Sequence, residues 1–161
     1  MRFTHTFESV FDENSRVLIL GSFPSVRSRE EGFYYGHPRN RFWIVLSSIL
    51  DEKQPENVIQ KQNMLLSHNI ALWDVCSSCE VDGSADSSIR EVIPNDLSTI
   101  IEQAEIKHIF TNGRTADDLF RRFQKNNFSI PSTCLPSTSP ANAAWTLEKL
   151  ISEWKIIKNY L

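Results

Sequence analysis

Positive charge is not in excess here: 17 Lys and Arg stand against 20 Asp and Glu, a formal net charge of −3. That excludes a protein coating DNA by bulk electrostatics, though not one that grips a few phosphates locally. Long apolar runs are missing too, and none approaches the roughly 20 residues needed to span a bilayer. The opening Met1-Arg2-Phe3-Thr4-His5 lacks the apolar core of an export signal, so the expected compartment is the cytoplasm. Cysteine is scarce: Cys76, Cys79 and Cys134 are an odd number and too few for a disulfide framework. Cys76-Ser-Ser-Cys79 has CxxC spacing, but no second such pair or His pair completes a zinc site, and an iron–sulfur cluster wants a fourth thiolate. Structural thiols and no metal are the expectation.

What is present describes an ordinary globular protein. The 161 residues, 40% hydrophobic and 23% charged, suit a single domain over 1–161 with a real core. Apolar runs and turn signals alternate without repeat or linker. Arg16–Ser22 reads as a buried strand ending at a glycine, followed by Asn69–Val75, Lys107–Thr111 and Ser132–Pro136 as further strands. Helical spacing marks Asn40–Leu50, Pro55–Leu66, Asp96–Ala104, Thr115–Gln124 and a long final helix over Ala141–Leu161. Such alternation predicts an α/β protein, three layers α/β/α around a central, mainly parallel four-stranded sheet. Each strand ends in Gly, Ser, Asn, Asp or Pro, at Gly21-Ser22, Asp74, Asn112-Gly113 and Pro136-Ser137. Ligands bind outside the carboxyl ends of strands in open α/β sheets, so these four ends are expected to converge on a site.

Four segments carry candidate chemistry. Leu20-Gly21-Ser22-Phe23-Pro24-Ser25 lets the backbone turn sharply beside a ligand and offers one aromatic face, although it also fits a plain strand exit. Phe33-Tyr34-Tyr35-Gly36-His37-Pro38-Arg39-Asn40-Arg41-Phe42-Trp43 crowds five aromatics with His37, Arg39, Arg41 and Asn40. Asn40 could cap the following helix, but capping leaves the aromatic and basic company unexplained. Leu135-Pro136-Ser137-Thr138-Ser139-Pro140-Ala141-Asn142-Ala143 is a stiff polar loop whose hydroxyl and backbone donors suit a phosphate; Ser139 and Pro140 equally suit an N-cap and first helical position. Trp73-Asp74-Val75 followed by the Gly83–Arg90 loop fits an ordinary connection as well.

In this order, from about Arg16 to Trp145, these segments resemble the hypoxanthine-DNA (deoxyinosine) glycosylase branch of the uracil-DNA glycosylase superfamily. The resemblance implies a monofunctional enzyme that flips a deaminated nucleotide out of double-stranded DNA and hydrolyses its N-glycosidic bond, as the first step of base excision repair. It implies no cofactor and no metal. Asn40 falls on the catalytic asparagine of that branch. Gly21, Ser22, Phe23 and Pro24 would line the base pocket, with Tyr35 and Asn112 beside them. Arg39, Arg41, Ser137, Thr138, Ser139 and Pro140 would meet the DNA. Asp74 and His37 are secondary candidates, Asp74 as a general base. The first motif often closes with glycine where Ser25 stands here, which bears on the pocket's shape and base preference.

The chemistry fits these residue types. Cleavage builds positive charge on the sugar and negative charge on the departing base, so the enzyme needs a located water and hydrogen-bond donors. An asparagine can supply both, its carbonyl orienting water and its NH2 donating. The motifs contain no lysine, so a Schiff-base pathway lacks an amine. Hypoxanthine is the expected substrate, with uracil next, and a monomer the expected state. Two other readings stay open: a non-catalytic nucleic-acid binder of the same fold, and a nucleotide or nucleoside hydrolase.

Overall fold

The computed structural model describes residues 2–5, 7–80, 90–124 and 127–161, the side chains of Val26 and Glu31 excepted. The 83–89 part of the fourth segment therefore lies outside the described residues.

At the centre are four parallel strands, β2 (Val17–Gly21), β3 (Ile70–Asp74), β6 (His108–Asn112) and β7 (Ser132–Leu135), in the order β3-β2-β6-β7. All five residues of β2 are buried, as expected of an inner strand covered on both faces. Period-two alternation sends its side chains to two cores. Val17 and Ile19 join Phe42, Leu46, Leu65 and Trp154 on one face. Leu18 and Leu20 join Leu97, Ile100, Leu119 and Phe120 on the other. Burial of each such aliphatic side chain contributes about 1.5–3 kcal/mol.

The first face is covered by α2 (Phe42–Ile49), α3 (Val58–Ser67) and α6 (Leu147–Trp154), the second by α4 (Ser98–Ile101) and α5 (Arg114–Phe123). A short helix, α1 (Val26–Glu31), follows β2 and is capped by Ser25, whose Oγ accepts from the Ser28 N–H at 3.1 Å. This cap gives Ser25 a local reason to stand where related motifs carry glycine.

The sequence does not announce a second, antiparallel sheet: β1 (Arg2–Thr4), β4 (Cys76–Glu80) and β5 (Arg90–Pro94), in the order β1-β4-β5. Cys76 and Cys79 lie buried on β4, and Cys134 is exposed. Residue 10 pairs with Leu72 through two 2.9 Å backbone bonds and so covers the outer edge of β3.

The long final helix expected from residue 141 is corrected to Leu147–Trp154, continued by a 3-10 segment, Lys155–Tyr160. Its N-cap is Thr146, whose side chain accepts from the Lys149 N–H. The carbonyls before it are turned toward Arg41 instead of into a helix, as described below. The Asp96–Ala104 helix likewise contracts to four residues, with the Asp96 carboxylate accepting from the Ser98 N–H and hydroxyl ahead of it. Among the described residues, no helix is long and apolar enough to cross a membrane.

Candidate active site

The carboxyl ends of the four parallel strands do converge. Gly21 and Ser22 after β2, Asp74 ending β3, Asn112 ending β6 and Ser137–Ser139 after β7 line one cavity of about 170 Å³. Phe23, Pro24, Tyr34, Tyr35 and Asn40 also line it, together with Ser25, Ser28 and Ala141. No lysine is among the described lining residues.

The polar wall is a chain of hydrogen bonds whose direction is fixed at both ends. The Thr138 N–H can only donate, and it does so to Asn112 Oδ1 at 3.0 Å. The NH2 group of Asn112 must therefore be the donor to Thr138 Oγ1 at 3.0 Å. That hydroxyl, having accepted, donates to Asn40 Oδ1 at 2.8 Å. The same Oδ1 also receives the Phe42 N–H at 3.0 Å, which begins α2. Asn40, one residue ahead of the N-cap Arg41, thus takes the first N–H of the helix and lines the pocket at once. Both lone pairs of its carbonyl are taken, so the expectation that this carbonyl orients water is corrected: what Asn40 presents is its NH2 group.

The loop after β7 is braced from beneath. The Arg41 guanidinium donates to the carbonyls of Ser139 (3.2 Å), Asn142 (3.1 Å) and Trp145. Asn142 Nδ2 adds a bond to the Ser137 carbonyl, and Trp154 Nε1 holds the Pro136 carbonyl. Ser137 Oγ accepts from the Ser139 N–H, and Ser139 Oγ from the Ala141 N–H. Arg41, expected as a DNA contact, is committed to this loop. Arg39 is exposed, and its backbone N–H donates to His37 Nδ1. Arg39, His37 and Pro140 do not line the cavity.

The apolar wall is stiff. Tyr35, at φ 54°, stacks on Phe42 with centroids 4.1 Å apart. Tyr34 is buried and donates its hydroxyl to the Glu8 carbonyl at 2.7 Å. Burial, reinforced by the negative charge of Asp74, pushes its phenol far above the ordinary range, so Tyr34 stays neutral.

Sequence reasoning missed His5. Its Nε2 donates to Asp74 Oδ2 at 2.9 Å, and both side chains are almost fully buried (3% and 4% exposed). No motif surrounds His5 in the sequence; only the pairing of β1 with β4 brings it to the site.

Comparison with known proteins agrees with this architecture. The family model of the uracil DNA glycosylase superfamily matches residues 8–159. A protein of Methanosarcina acetivorans named hypoxanthine DNA glycosylase is 35% identical over 153 residues, covering 94% of this chain and 95% of its own. Another of that name, from Methanosarcina barkeri, is 36% identical over 114 residues, 70% of this chain and 72% of its own. A solution NMR structure from Methanosarcina acetivorans, described as a candidate uracil DNA glycosylase, superposes with a TM-score of 0.84 at 32% identity and covers 99% of both chains. With its parallel sheet, its cavity at the strand ends and a match over nearly its whole length, this chain belongs to the uracil DNA glycosylase superfamily.

Proposed function

We propose that the protein is a monofunctional DNA glycosylase that takes a deaminated base, hypoxanthine first and uracil second, into this cavity and hydrolyses its N-glycosidic bond. The observation that carries the reading is the polarised chain Asn112–Thr138–Asn40, which leaves asparagine NH2 groups as the donors of a small, stiff-walled cavity. The departing base gathers negative charge in its ring, and fixed donors stabilise that charge more than they stabilise the neutral ground state. They are held before substrate arrives and need no reorientation as the bond breaks. The names of the two Methanosarcina relatives support hypoxanthine as the leading substrate.

The remaining parts have physical tasks in the same reaction. Flipping a base costs a few kcal/mol, least at weak pairs, and stacking on an aromatic face returns about 1–3 kcal/mol. Phe23 and Tyr35 are the wall residues suited to it. Ser137, Thr138 and Ser139, on a loop braced from within, would meet the backbone of the flipped nucleotide, and exposed Arg39 a neighbouring phosphate. With both lone pairs of the Asn40 carbonyl occupied, Asp74 is the carboxylate of the cavity that could accept from water or base.

The test is release of free base from duplexes carrying a single hypoxanthine or uracil. The parent is expected to release hypoxanthine, while Asn40→Ala loses release yet still binds the duplex. Undiminished turnover by Asn40→Ala would remove the catalytic assignment.

A further inference from the structure

The cavity contains a buried carboxylate that the donor chain does not use. Asp74 ends β3 against Gly21, so close that a Cβ on Gly21 would lie 2.3 Å from Asp74 Oδ1. A charge withdrawn from water needs a partner, and Asp74 Oδ2 has one in His5 Nε2 at 2.9 Å. The His5 ring is itself held, 4.5 Å from the Phe7 ring, 5.8 Å from Tyr34 and edge-on to Phe23 at 6.2 Å. Its backbone N–H bonds the Ser77 carbonyl on β4, which fixes the segment that delivers it. Oδ1 has no protein donor among the described residues, and Asp74 lines the cavity.

An ionised carboxylate can only accept hydrogen bonds. Deamination changes one edge of a base in a defined way. In adenine and cytosine a ring nitrogen with a lone pair stands beside an amino group; in hypoxanthine and uracil a ring N–H stands beside a carbonyl. A carboxylate oxygen facing that ring nitrogen attracts the N–H and repels the lone pair, while an asparagine NH2 suits the carbonyl and opposes an amino group.

We propose that His5 is a positioning residue for base selection: it holds Asp74 with Oδ1 turned into the cavity, where that oxygen accepts the ring N–H that deamination creates. The inference rests on the glycosylase reading and adds to it the means by which hypoxanthine and uracil are told apart from the adenine and cytosine they arise from; guanine and thymine, which carry the same N–H and carbonyl edge, are not separated by this contact. The small antiparallel sheet acquires a purpose, since it carries His5 to the carboxylate.

The experiment compares excision of hypoxanthine with that of 1-methylhypoxanthine, which keeps the carbonyl and lacks the N–H, in otherwise identical duplexes. Loss of a hydrogen bond to a charged group predicts a parent preference for hypoxanthine of roughly 10- to 100-fold. In Asp74→Ala and His5→Leu that preference collapses toward unity, chiefly by slower hypoxanthine release. His5→Gln keeps an N–H donor near the position of Nε2 and recovers most of the preference. His5→Leu on top of Asp74→Ala has no further effect, because His5 acts through Asp74. Should His5→Leu fail to fold, His5→Phe makes the same comparison with a ring that fits against Phe7 and Tyr34. A pocket that merely crowds the methyl group would reject it equally in parent and His5 variants, and an unchanged preference there overturns the proposal. Full additivity in the double variant overturns it too. If the parent releases no base at all, the glycosylase reading fails instead, so the two failures are distinguishable.

Discussion

Gly21 shows how one missing side chain can organise a site. It ends a fully buried strand, and its bare α-carbon lets the Asp74 carboxylate and the Tyr35 ring close over the same point. A methyl group there would stand 2.3 Å from Asp74 Oδ1 and 2.8 Å from the Tyr35 hydroxyl, well inside contact distance. Gly21→Ala is therefore expected to cost about 1–3 kcal/mol by overpacking. It should also displace the carboxylate and abolish base release, as thermal unfolding and excision assays would show. Unchanged values in both would mean that Asp74 and Tyr35 move aside freely. Asn40 teaches a related lesson. Capping and a place in the pocket compete as explanations in the sequence; the N-cap is Arg41, and Asn40, one residue earlier, lines the cavity while its carbonyl takes the Phe42 N–H and the Thr138 hydroxyl.

Among the elements, the loop between β7 and α6 depends most on a residue distant in sequence. Arg41, about a hundred positions away, supplies donors to three of its carbonyls. Arg41→Met would leave three half-buried carbonyls without this partner, with an expected loss of about 1–3 kcal/mol. Arg41→Lys should recover little of it, since a single ammonium does not reproduce the planar fork. Salt dependence of duplex binding separates Arg41 from Arg39: Arg39→Ala should lower the slope by about one, and Arg41→Met should leave it nearly unchanged. Equal slopes for parent and Arg39→Ala would remove Arg39 from the interface.

The same loop marks where sequence reasoning ran out. The four parallel strands are legible because each is a short apolar run closed by a turn residue, a purely local signal. Ala141–Thr146 carries helix-compatible residues, but its polar groups are taken by distant or loop partners: Arg41 holds the Asn142 and Trp145 carbonyls, Asn142 Nδ2 the Ser137 carbonyl, and Ser139 Oγ the Ala141 N–H. Cys76–Glu80 lacks any strand-like alternation of its own; it pairs because residues 2–4 and 90–94 flank it, and no local pattern encodes that.

For the molecule as a whole, the site is polar and local while stability resides in the two cores. His108 opens β6 on the side away from the cavity, between Phe110 and Tyr160, with Nε2 on the Thr133 hydroxyl and Nδ1 buried without a partner among the described residues. Burial pulls its pKa below the ordinary value of about 6.5. The unfolded chain therefore takes up this proton first as the pH falls. The contribution is fully present above about 6.5 and is lost as the pH drops toward the folded value. Unfolding midpoints followed from about pH 7 to about pH 5 should decline, and less steeply in His108→Phe. Identical slopes would place the sensitivity elsewhere.

The direction of the amide chain through Thr138 has a consequence for fidelity. Asparagine side chains are often interchangeable end for end, since oxygen and nitrogen differ little in size. Here reversal of Asn112 would set its NH2 against the Thr138 N–H, and reversal of Asn40 would set its NH2 against the Phe42 N–H. Each inversion puts proton against proton and strands a main-chain group. The pocket is thus given one polarity by its own peptide units, and under the proposed function an intact adenine or cytosine would not turn it to the mirror arrangement. In a duplex where adenine and cytosine vastly outnumber their deaminated forms, such a fixed polarity would spare them from needless excision.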